Sequence, residues 1–522
     1  MMTAGELIPA MRELMPLLRA HVLLSGLSVG TALTIGLPLA VFASDRPRLR
    51  GPLLAGAGLL QTVPGLALLA LLYPLLLLLG QATGLAIPAL GFLPAFIALT
   101  LYALLPVMRN GVAAMQEVDP ALREAAASLG AGRLQQILMV ELPLAGPVIL
   151  AGIRTATVWT IGTATLATTI GQPSLGNLIF SGLQLEDWRR VLIGCAASAA
   201  LAILADGLLG AVESGLARGS RRRAWAGVGL IAAGLVVALA PAPARGGRVV
   251  VIGAKNFSEQ YILASLIEAR LRAAGFATER RDDLGSAIAY RATAGGDVDV
   301  YVDYAGTLSA NVLGRRGRVP VAELSRALAA RDGVRVLGGL GFENAYAFAM
   351  RRDRAEALGI RTLDDLARAA RKLRLASDLE FLSRPEWRAV ERVYGMRFAE
   401  ARPYSPTFMY RALASGAADV ISAFSSDGRI AAMDLVTPED RRGALPGYEA
   451  LLLMSPGAGR DAAVVAALRP LIGAISVERM RAANLMVDRD ADKRSPAEAA
   501  GWLGGMIRSS HLHRRALRAA TP

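Results

Sequence analysis

The feature that most constrains this chain is a long stretch without a formal charge. From Gly51 to Met108 there is no Asp, Glu, Lys or Arg. A membrane-spanning helix needs about 20 apolar residues, so this stretch is long enough for two spans. The uncharged segment Gly80–Ala89 predicts the turn between them. We therefore expect a membrane protein.

The charges are concentrated in the second half of the chain. Residues 1–244 hold 15 of the 57 Lys and Arg and 11 of the 43 Asp and Glu, which predicts a membrane half followed by a soluble half. The net charge of +14 does not indicate nucleic-acid binding, because the Arg residues are interleaved with acidic ones and no aromatic and basic stripe accompanies them. Cys195 is the only cysteine, which excludes disulfides within the chain and Cys-based metal sites, and we expect no cofactor.

Six spans are predicted in total. Besides the two in the uncharged stretch, apolar segments occur at Val22–Phe42, about Ala145–Thr168, about Val191–Val212 and Ala224–Ala240. Cytoplasmic loops of membrane proteins are enriched in Lys and Arg. By this rule the first, third and fifth loops are cytoplasmic, since they carry Arg46, Arg48 and Arg50, then Arg109, Arg123 and Arg133, then Arg218 and Arg221–Arg223. Everything after the sixth span is then expected outside the cytoplasm, in a multi-pass protein of the bacterial inner membrane.

These patterns predict the domain limits. We expect an N-terminal segment at 1–21, a transmembrane domain at 22–216 with a cytoplasmic loop at about 109–143, the sixth span and a linker at 217–247, and a soluble domain at 248–522. Arg154 and Asp206 fall inside or near the ends of spans. They either extend to the membrane interface or face the interior of the helix bundle.

The third loop contains a recognisable motif. Asp119 and Pro120 can start a helix, Gly130 can break it, and a second helix is expected to begin near Leu134 and end at Pro143. The spacing of Glu124-Ala125-Ala126, Gly130 and Leu142-Pro143 resembles the loop signature of binding-protein-dependent ABC importer permeases. The resemblance implies that these residues dock on an ATP-binding subunit. The alternative is an ordinary amphipathic connector.

The chain itself lacks the phosphate-binding loop of an ATPase. That loop requires a Lys after Gly, and none of Lys255, Lys372 and Lys493 follows a Gly. We therefore expect a transporter subunit that is not an enzyme, with ATP hydrolysis by a separate partner chain.

The soluble half alternates short apolar strands with helical patterns, which predicts an α/β fold with mostly parallel sheets. Four segments resemble the betaine/choline class of ABC substrate-binding proteins: 248–263 (RVVVIGAKNFSEQYIL), 299–307 (DVYVDYAGT), 344–350 (NAYAFAM) and 423–430 (AFSSDGRI). The whole chain looks like a fused permease and substrate-binding protein of the osmoprotectant uptake family. The resemblance implies a helical transmembrane bundle joined to a two-lobed domain of the type II periplasmic-binding-protein class. Lobe one is expected at about 248–343 and 449–515, and lobe two at about 344–448.

The resemblance also implies a ligand site. Its aromatic rings would be Tyr304, Tyr346, Phe424 and Tyr448, although relatives usually have Tyr where Phe424 stands. Rings suit a quaternary ammonium, which has no N–H to donate, at about 0.5–2 kcal/mol for each good contact. A ligand carboxylate would be bound by Lys255, Thr307 and Arg384. Each of these residues also has an ordinary structural reading, as core or surface.

Three acidic residues nearby have a simpler interpretation. Asp297, Asp299 and Asp303 alternate with Val298, Val300 and Val302, which predicts the solvated face of a half-buried strand.

The sequence therefore favours capture and import of a quaternary amine such as a betaine. The partners are an ABC ATP-binding dimer, a second copy of this chain and membrane lipid, without nucleic acid. Two alternatives keep the importer and change the ligand, to a histidine-derived betaine of the ergothioneine type or to an amino acid. A membrane-anchored sensory receptor is less favoured, because no cytoplasmic loop is long enough for an output domain.

Overall fold

A computed structural model describes residues 4–519 except 86, 186, 241–247, 316–318, 379, 405, 446 and 490–491. The chain divides into two compact units, Met1–Phe180 with Arg189–Ala244 and Ser181–Trp188 with Arg245–Pro522.

The first unit is helical. Its helices are α1 Ala4–Ser44, α2 Pro47–Thr62, α3 Gly65–Thr83, α4 Phe92–Glu117, α5 Pro120–Ser128, α6 Arg133–Gln136, α7 Leu142–Ala164, α8 Gly176–Gln184, α9 Trp188–Ala217 and α10 Arg221–Leu239. A π-helical turn, Ile137–Glu141, joins α6 to α7, and a 3₁₀ segment, Thr165–Ile170, follows α7.

Six helical segments among the described residues are long and apolar enough to cross a membrane, which confirms the predicted number. They are Leu14–Ser44, Gly65–Thr83, Phe92–Glu117, Arg133–Ile170, Trp188–Ala217 and Arg221–Leu239. The uncharged stretch also contains most of α2, which the sequence analysis did not separate from the first of its two spans. The chain breaks after α2 at Val63-Pro64, because proline disfavours helical geometry in the residue before it.

Arg154 and Asp206 are paired with each other. The guanidinium of Arg154 on α7 donates to both carboxylate oxygens of Asp206 on α9, over 2.9 and 2.8 Å, and to Glu213 over 2.7 Å. An ionisable group in a membrane helix is costly unless it is paired or hydrated. The structure thus satisfies Arg154 within the helical unit rather than by separate extension to the interface.

The second unit contains two five-stranded sheets. The first has the order β2-β1-β3-β10-β4 and consists of β1 Val249–Lys255, β2 Ala277–Leu284, β3 Val300–Tyr304, β4 Arg335–Glu343 and β10 Glu449–Met454. The second has the order β7-β6-β8-β5-β9 and consists of β5 Tyr346–Arg351, β6 Arg374–Ser377, β7 Glu400–Pro403, β8 Val420–Phe424 and β9 Leu435–Val436. The chain passes from the first sheet to the second between β4 and β5, and returns between β9 and β10.

Helices cover both sheets, which confirms the α/β class. They are α11 Ser258–Ala273, α12 Ser286–Gly295, α13 Ala305–Thr307, α14 Val321–Asp332, α15 Arg352–Leu358, α16 Leu363–Ala369, α17 Pro385–Tyr394, α18 Pro406–Ala414, α19 Arg429–Ala432, α20 Ala462–Leu468, α21 Val477–Asp488 and α22 Pro496–Ala519. The expectation of mostly parallel sheets was wrong. In each sheet two strand pairings are parallel and two are antiparallel, because β10 and β5, which lie next to the crossings, run against their neighbours.

Candidate functional site

The second unit contains a cavity of about 220 Å³ lined by residues from both lobes. All seven residues expected to contact a ligand line it: Lys255, Tyr304, Thr307, Tyr346, Arg384, Phe424 and Tyr448. Most of them sit where a strand begins or ends: Lys255, Tyr304 and Phe424 end β1, β3 and β8, Tyr346 begins β5, and Tyr448 directly precedes β10. The strand ends therefore bring together residues that are up to 193 positions apart in the sequence, from Lys255 to Tyr448.

Aromatic rings form one wall of the cavity. The ring centroid of Tyr346 lies 4.8 Å from that of Phe424 and 6.0 Å from that of Tyr448, with Tyr448 almost perpendicular at 84°. Gly306 makes room for Tyr448, because a Cβ at that position would lie 2.5 Å from the tyrosine ring. The three rings therefore lie at different angles to one another along the cavity wall.

Phe257 is an additional ring that the sequence analysis did not identify. It follows β1 and stacks on Phe424 across the lobes, with centroids 6.4 Å apart and planes 9° apart, and it lies 6.3 Å from Tyr304. The residue stands inside the first family-like segment, in Ala254-Lys255-Asn256-Phe257. That position was the only available signal, and a phenylalanine after a buried strand is more often a core residue.

Lys255 is paired inside the protein. Its ammonium forms a salt bridge with Asp303 and lies 5.5 Å from the ring centroid of Tyr304. Asp303 is 1 % exposed and Asp299 is 8 % exposed, so the expectation that they face solvent was wrong. Alternation with valine cannot reveal that both faces of β3 are covered, by α11 and by other elements of the lobe. The charge of Lys255 is thus largely neutralised by Asp303.

Arg384 reaches the cavity with one guanidinium nitrogen, Nη2, that has no acceptor among the described residues. Its Nε donates to Glu386 over 3.3 Å and its Nη1 to Glu380 over 3.2 Å, while its Cζ lies 5.4 Å from the centroid of Tyr346. Nη2 is buried and has no hydrogen-bond partner among the described residues. A buried donor without an acceptor is costly, at about 1–3 kcal/mol and more for a charged group. Arg384 lines the cavity wall.

Thr307 lies on α13, in the turn that follows β3, and is 8 % exposed. It lines the cavity wall and belongs to the same lobe as Lys255.

Glu259 is a buried carboxylate at the base of the cavity that the sequence analysis also missed. It accepts hydrogen bonds from the hydroxyl of Tyr304 over 2.5 Å and from the side-chain amides of Asn344 and Asn484, each over 3.0 Å. Burial raises the pKa of Glu259, and these hydrogen bonds oppose the shift. From the sequence alone, Glu259 is an ordinary acidic residue in the first turn of a helix.

A second charged cluster borders the cavity near α21. Asp427 accepts from the hydroxyl of Tyr410 over 2.6 Å and pairs with Arg429 over 2.9 Å, and the guanidinium of Arg429 lies 4.0 Å from the Tyr410 centroid. Asp488 accepts a hydrogen bond from the hydroxyl of Ser258, the first residue of α11. Burial raises the pKa of Asp488 to about 6, with the neighbouring charge of Asp427 adding to the effect and Arg429 opposing it.

The cavity carries a negative formal charge when every carboxyl group is counted as ionised. Its wall includes three basic residues, Lys255, Arg384 and Arg429, and five acidic ones, Glu259, Asp378, Glu380, Asp427 and Asp488, for a formal charge of −2. Aromatic faces combined with a negative balance favour a ligand that contains a cation.

The loop with the permease-like motif is a second candidate site. Asp119 caps α5 by accepting from the backbone N–H of Ala121 over 2.9 Å, and Gly130 follows with a φ of +85°. Glu124 and Ala125 are exposed on α5, whereas Ala126 is buried. Large apolar side chains are exposed beside them: Leu129 is 89 % and Met139 is 74 % exposed.

The second helix of this loop does not end at Pro143, as the sequence analysis expected. Leu142 and Pro143 instead begin α7, and the preceding turn, Ile137–Glu141, is π-helical. Proline removes one backbone hydrogen bond, and a π turn accommodates it without ending the helix. The loop is also held by charge: Arg133 pairs with the fully buried Glu141 and, over 2.6 Å, with Asp45 at the end of α1.

Comparisons with known proteins match both units. Residues 248–504 match the family described as the substrate binding domain of ABC-type glycine betaine transport system, and residues 32–218 match the binding-protein-dependent transport system inner membrane component. An ergothioneine transport permease/ergothioneine binding protein of Helicobacter pylori is 27% identical and aligns with 80% of this chain and 77% of its own. An osmoprotectant import permease protein of Salmonella typhimurium is 41% identical over 36% of this chain and 85% of its own. A crystal structure of a glycine betaine/carnitine/choline ABC transporter is 26% identical, with a TM-score of 0.44, over 50% of this chain and 98% of its own.

Proposed function

We propose that this chain, which belongs to the osmoprotectant ABC importer family as a permease fused to a substrate-binding domain, captures a quaternary ammonium compound and passes it across the membrane. The chain is a multi-pass membrane protein with six apolar spans among its described residues.

The cation occupies the space bordered by aromatic rings. Phe257, Tyr304, Tyr346, Phe424 and Tyr448 come from both lobes, so closure of the lobes brings ring faces onto the ligand from several sides. A quaternary ammonium cannot donate a hydrogen bond, and ring faces are its best partners inside a protein. The formal charge of −2 on the cavity wall supports the same assignment.

The unpartnered Nη2 of Arg384 supports a ligand that also has a carboxylate. A donor that is buried beside an aromatic cage fits a zwitterion whose carboxylate lies a few bonds from its quaternary nitrogen. The cavity volume of about 220 Å³ is below the roughly 300–1,000 Å³ of typical ligand pockets, which favours a compact molecule such as glycine betaine.

Calorimetry on the full chain in detergent tests this assignment. Glycine betaine, choline, carnitine, ergothioneine and histidine are titrated separately. We expect glycine betaine to bind and histidine not to bind. A primary ammonium requires free hydrogen-bond acceptors, and Glu259, Asp427 and Asp488 on the cavity wall already accept from protein groups. Absence of binding by every trimethylammonium compound would refute the assignment.

A histidine-derived betaine is the second candidate. The Helicobacter pylori relative, which is named for ergothioneine, aligns with most of this chain across both units. The nearly parallel rings of Phe257 and Phe424, with centroids 6.4 Å apart, support this candidate because a flat heterocycle can stack against either ring. Tighter binding of ergothioneine than of glycine betaine would select it.

Energy comes from a separate ATP-binding subunit that docks on the loop around Glu124, Ala125, Ala126 and Gly130. Support comes from large apolar side chains that are exposed on that loop, as is typical of a protein–protein interaction site. They are Leu129, Leu134, Leu138 and Met139. Leu142 and Pro143 anchor the loop at the start of α7. ATP hydrolysis stimulated by ligand in a complex with a co-expressed ATP-binding subunit is the expected observation.

Two copies of this chain form the assembly, because one chain supplies a single docking loop and an ATPase dimer presents two docking clefts. A mass of the purified complex that corresponds to one permease chain and two ATP-binding subunits would contradict this.

The substrate-binding domain faces away from the cytoplasm, as the arginine-rich loops indicate. A reporter fused after Pro522 that works only in the cytoplasm would contradict this orientation.

A further inference from the structure

The substrate-binding domain has a second concave site, away from the ligand cavity. It is a groove of about 960 Å³, and none of its wall residues belongs to the ligand cavity. Five arginines surround it, and we refer to it as the arginine groove: Arg270 of α11, Arg335 of β4, Arg460, Arg469, and Arg508 of α22.

None of these five arginines forms an ion pair within the part of the chain that the structure describes. Arg335 and Arg460 donate only to backbone carbonyls, of Gly459 over 2.5 Å and of Pro456 over 3.0 Å. The carboxylates that are adjacent in sequence have other partners. Glu268 pairs with Arg272 over 2.6 Å, and Asp461 pairs with Arg248 over 3.3 Å and caps α20. The positive charge of the groove is therefore not neutralised.

The other residues that line the groove are apolar, and we refer to them as its floor: Ala462, Val465, Ala466, Pro470 and Ile507. A groove with a cationic rim and an apolar floor fits an amphipathic anion better than a free inorganic ion, because the apolar part of such a molecule can cover the floor.

The groove lies beside the point where the domain is attached to its last membrane helix. Arg248, the first described residue after the linker 241–247, contacts Asp461 at the start of α20, which forms one wall of the groove. A linker of seven residues spans at most about 25 Å. The length of the linker thus limits the distance between Arg248 and the end of α10. Arginine is also the only charged residue type from Ala499 to Pro522, where it occurs four times.

We propose that the arginine groove binds the phosphate headgroups of anionic phospholipids in the leaflet that faces the substrate-binding domain. Guanidinium groups bind phosphate through paired hydrogen bonds, and the upper part of the lipid chains covers the apolar floor. Docking in this way holds the tethered domain near the permease between rounds of ligand delivery. This proposal depends on the membrane attachment of the domain and does not depend on which ligand the cavity binds.

Hydrogen–deuterium exchange on the full chain in lipid nanodiscs tests the proposal. The amides of 456–472 and 500–509 are compared in phosphatidylcholine nanodiscs with and without phosphatidylglycerol. We expect slower exchange in these segments when phosphatidylglycerol is present. Each arginine near an anionic surface contributes about five-fold to binding, so the double variant Arg460→Gln/Arg469→Gln should lose the lipid-dependent protection.

The matched control removes two arginines elsewhere on the same domain. Arg326 and Arg388 are exposed and form no ion pair among the described residues, and Arg326→Gln/Arg388→Gln should keep the protection. Thermal unfolding followed by circular dichroism verifies that both variants are folded, whichever ligand the cavity binds. This readout also separates failure of the lipid proposal from failure of the ligand assignment.

Three results would overturn the proposal. The first is equal exchange in the two kinds of nanodisc, and the second is equal loss of protection in the groove variant and the control. The third is the same protection from inorganic phosphate in pure phosphatidylcholine nanodiscs, which would identify a site for soluble anions.

Discussion

Replacing Arg384 with alanine separates the two halves of the proposed ligand site. The change removes the one guanidinium among the described residues that lies over the ring of Tyr346, and it leaves the aromatic wall in place. We expect weaker binding of carboxylated ligands and no weakening of choline, which has the same cation and no carboxylate.

The size of the effect follows from the hydrogen bonds of Arg384. Two of its nitrogens are engaged by Glu380 and Glu386, which leaves Nη2 for the ligand. One charge-assisted hydrogen bond contributes about 1.5–3 kcal/mol. The dissociation constant for glycine betaine should therefore rise by about 10- to 150-fold. The variant also leaves the buried carboxylate of Glu386 without its cation, and this extra negative charge favours choline.

The assay is isothermal titration calorimetry of the full chain with glycine betaine and with choline. Arg388→Ala is the matched control, because Arg388 is an exposed arginine one turn further along α17. Removal of one member of a buried ion pair costs about 3–5 kcal/mol of stability. The fitted stoichiometry for choline therefore reports whether the Arg384→Ala protein is folded. Equal weakening of both ligands, or an unchanged affinity for glycine betaine, would refute the assignment of Arg384 to the carboxylate.

Three further predictions concern the rings, the docking loop and pH. Tyr346→Ala should weaken the binding of choline and of glycine betaine by a similar factor, worth about 0.5–2 kcal/mol. Tyr346→Phe keeps the ring and should bind both ligands normally. Calorimetry that shows loss of binding for only one of the two ligands would contradict this. Gly130→Val forces a branched side chain into a φ of +85° and should reduce ligand-stimulated ATP hydrolysis without changing ligand binding. Gly132→Val, at a φ of −66°, is the control and should be tolerated. Equal ATP hydrolysis by the two variants would contradict a special role of Gly130. The pKa of Asp488 is raised from 3.8 to about 6 in the folded domain. Protonated Asp488 therefore contributes to the stability of the fold, fully below pH 3.8, and this contribution to stability is lost as the pH rises through about 6. Asp488→Asn should remove that part of the pH dependence of thermal unfolding between pH 4 and 7, and unchanged pH profiles would contradict it.

The sequence determined the features that depend on local hydropathy and on family-like segments. The six spans follow from the lengths of apolar segments, since each must cross the membrane by itself. The motif around Tyr304, Tyr346 and Phe424 likewise identified rings that the structure brings to one cavity.

What only the tertiary structure decided depends on contacts between distant residues. Asp303 was expected to face solvent, because alternation along a strand carries no information about the helix that covers it or about Lys255, its partner 48 positions earlier. Glu259 was overlooked because its environment depends on Asn344 and Asn484, which lie 85 and 225 positions away in the sequence and reach it only in the folded domain.

The arginine groove illustrates the same limit for the surface. Arginine is abundant throughout the chain, and in the sequence Arg270, Arg335, Arg460, Arg469 and Arg508 do not differ from their neighbours. Folding distinguishes them, since it gives a carboxylate partner to many other arginines and gathers these five around one apolar floor. Hydropathy is a property of each residue, whereas neutralisation of a charge requires a second residue within a few ångströms, and only the folded chain decides which residue that is.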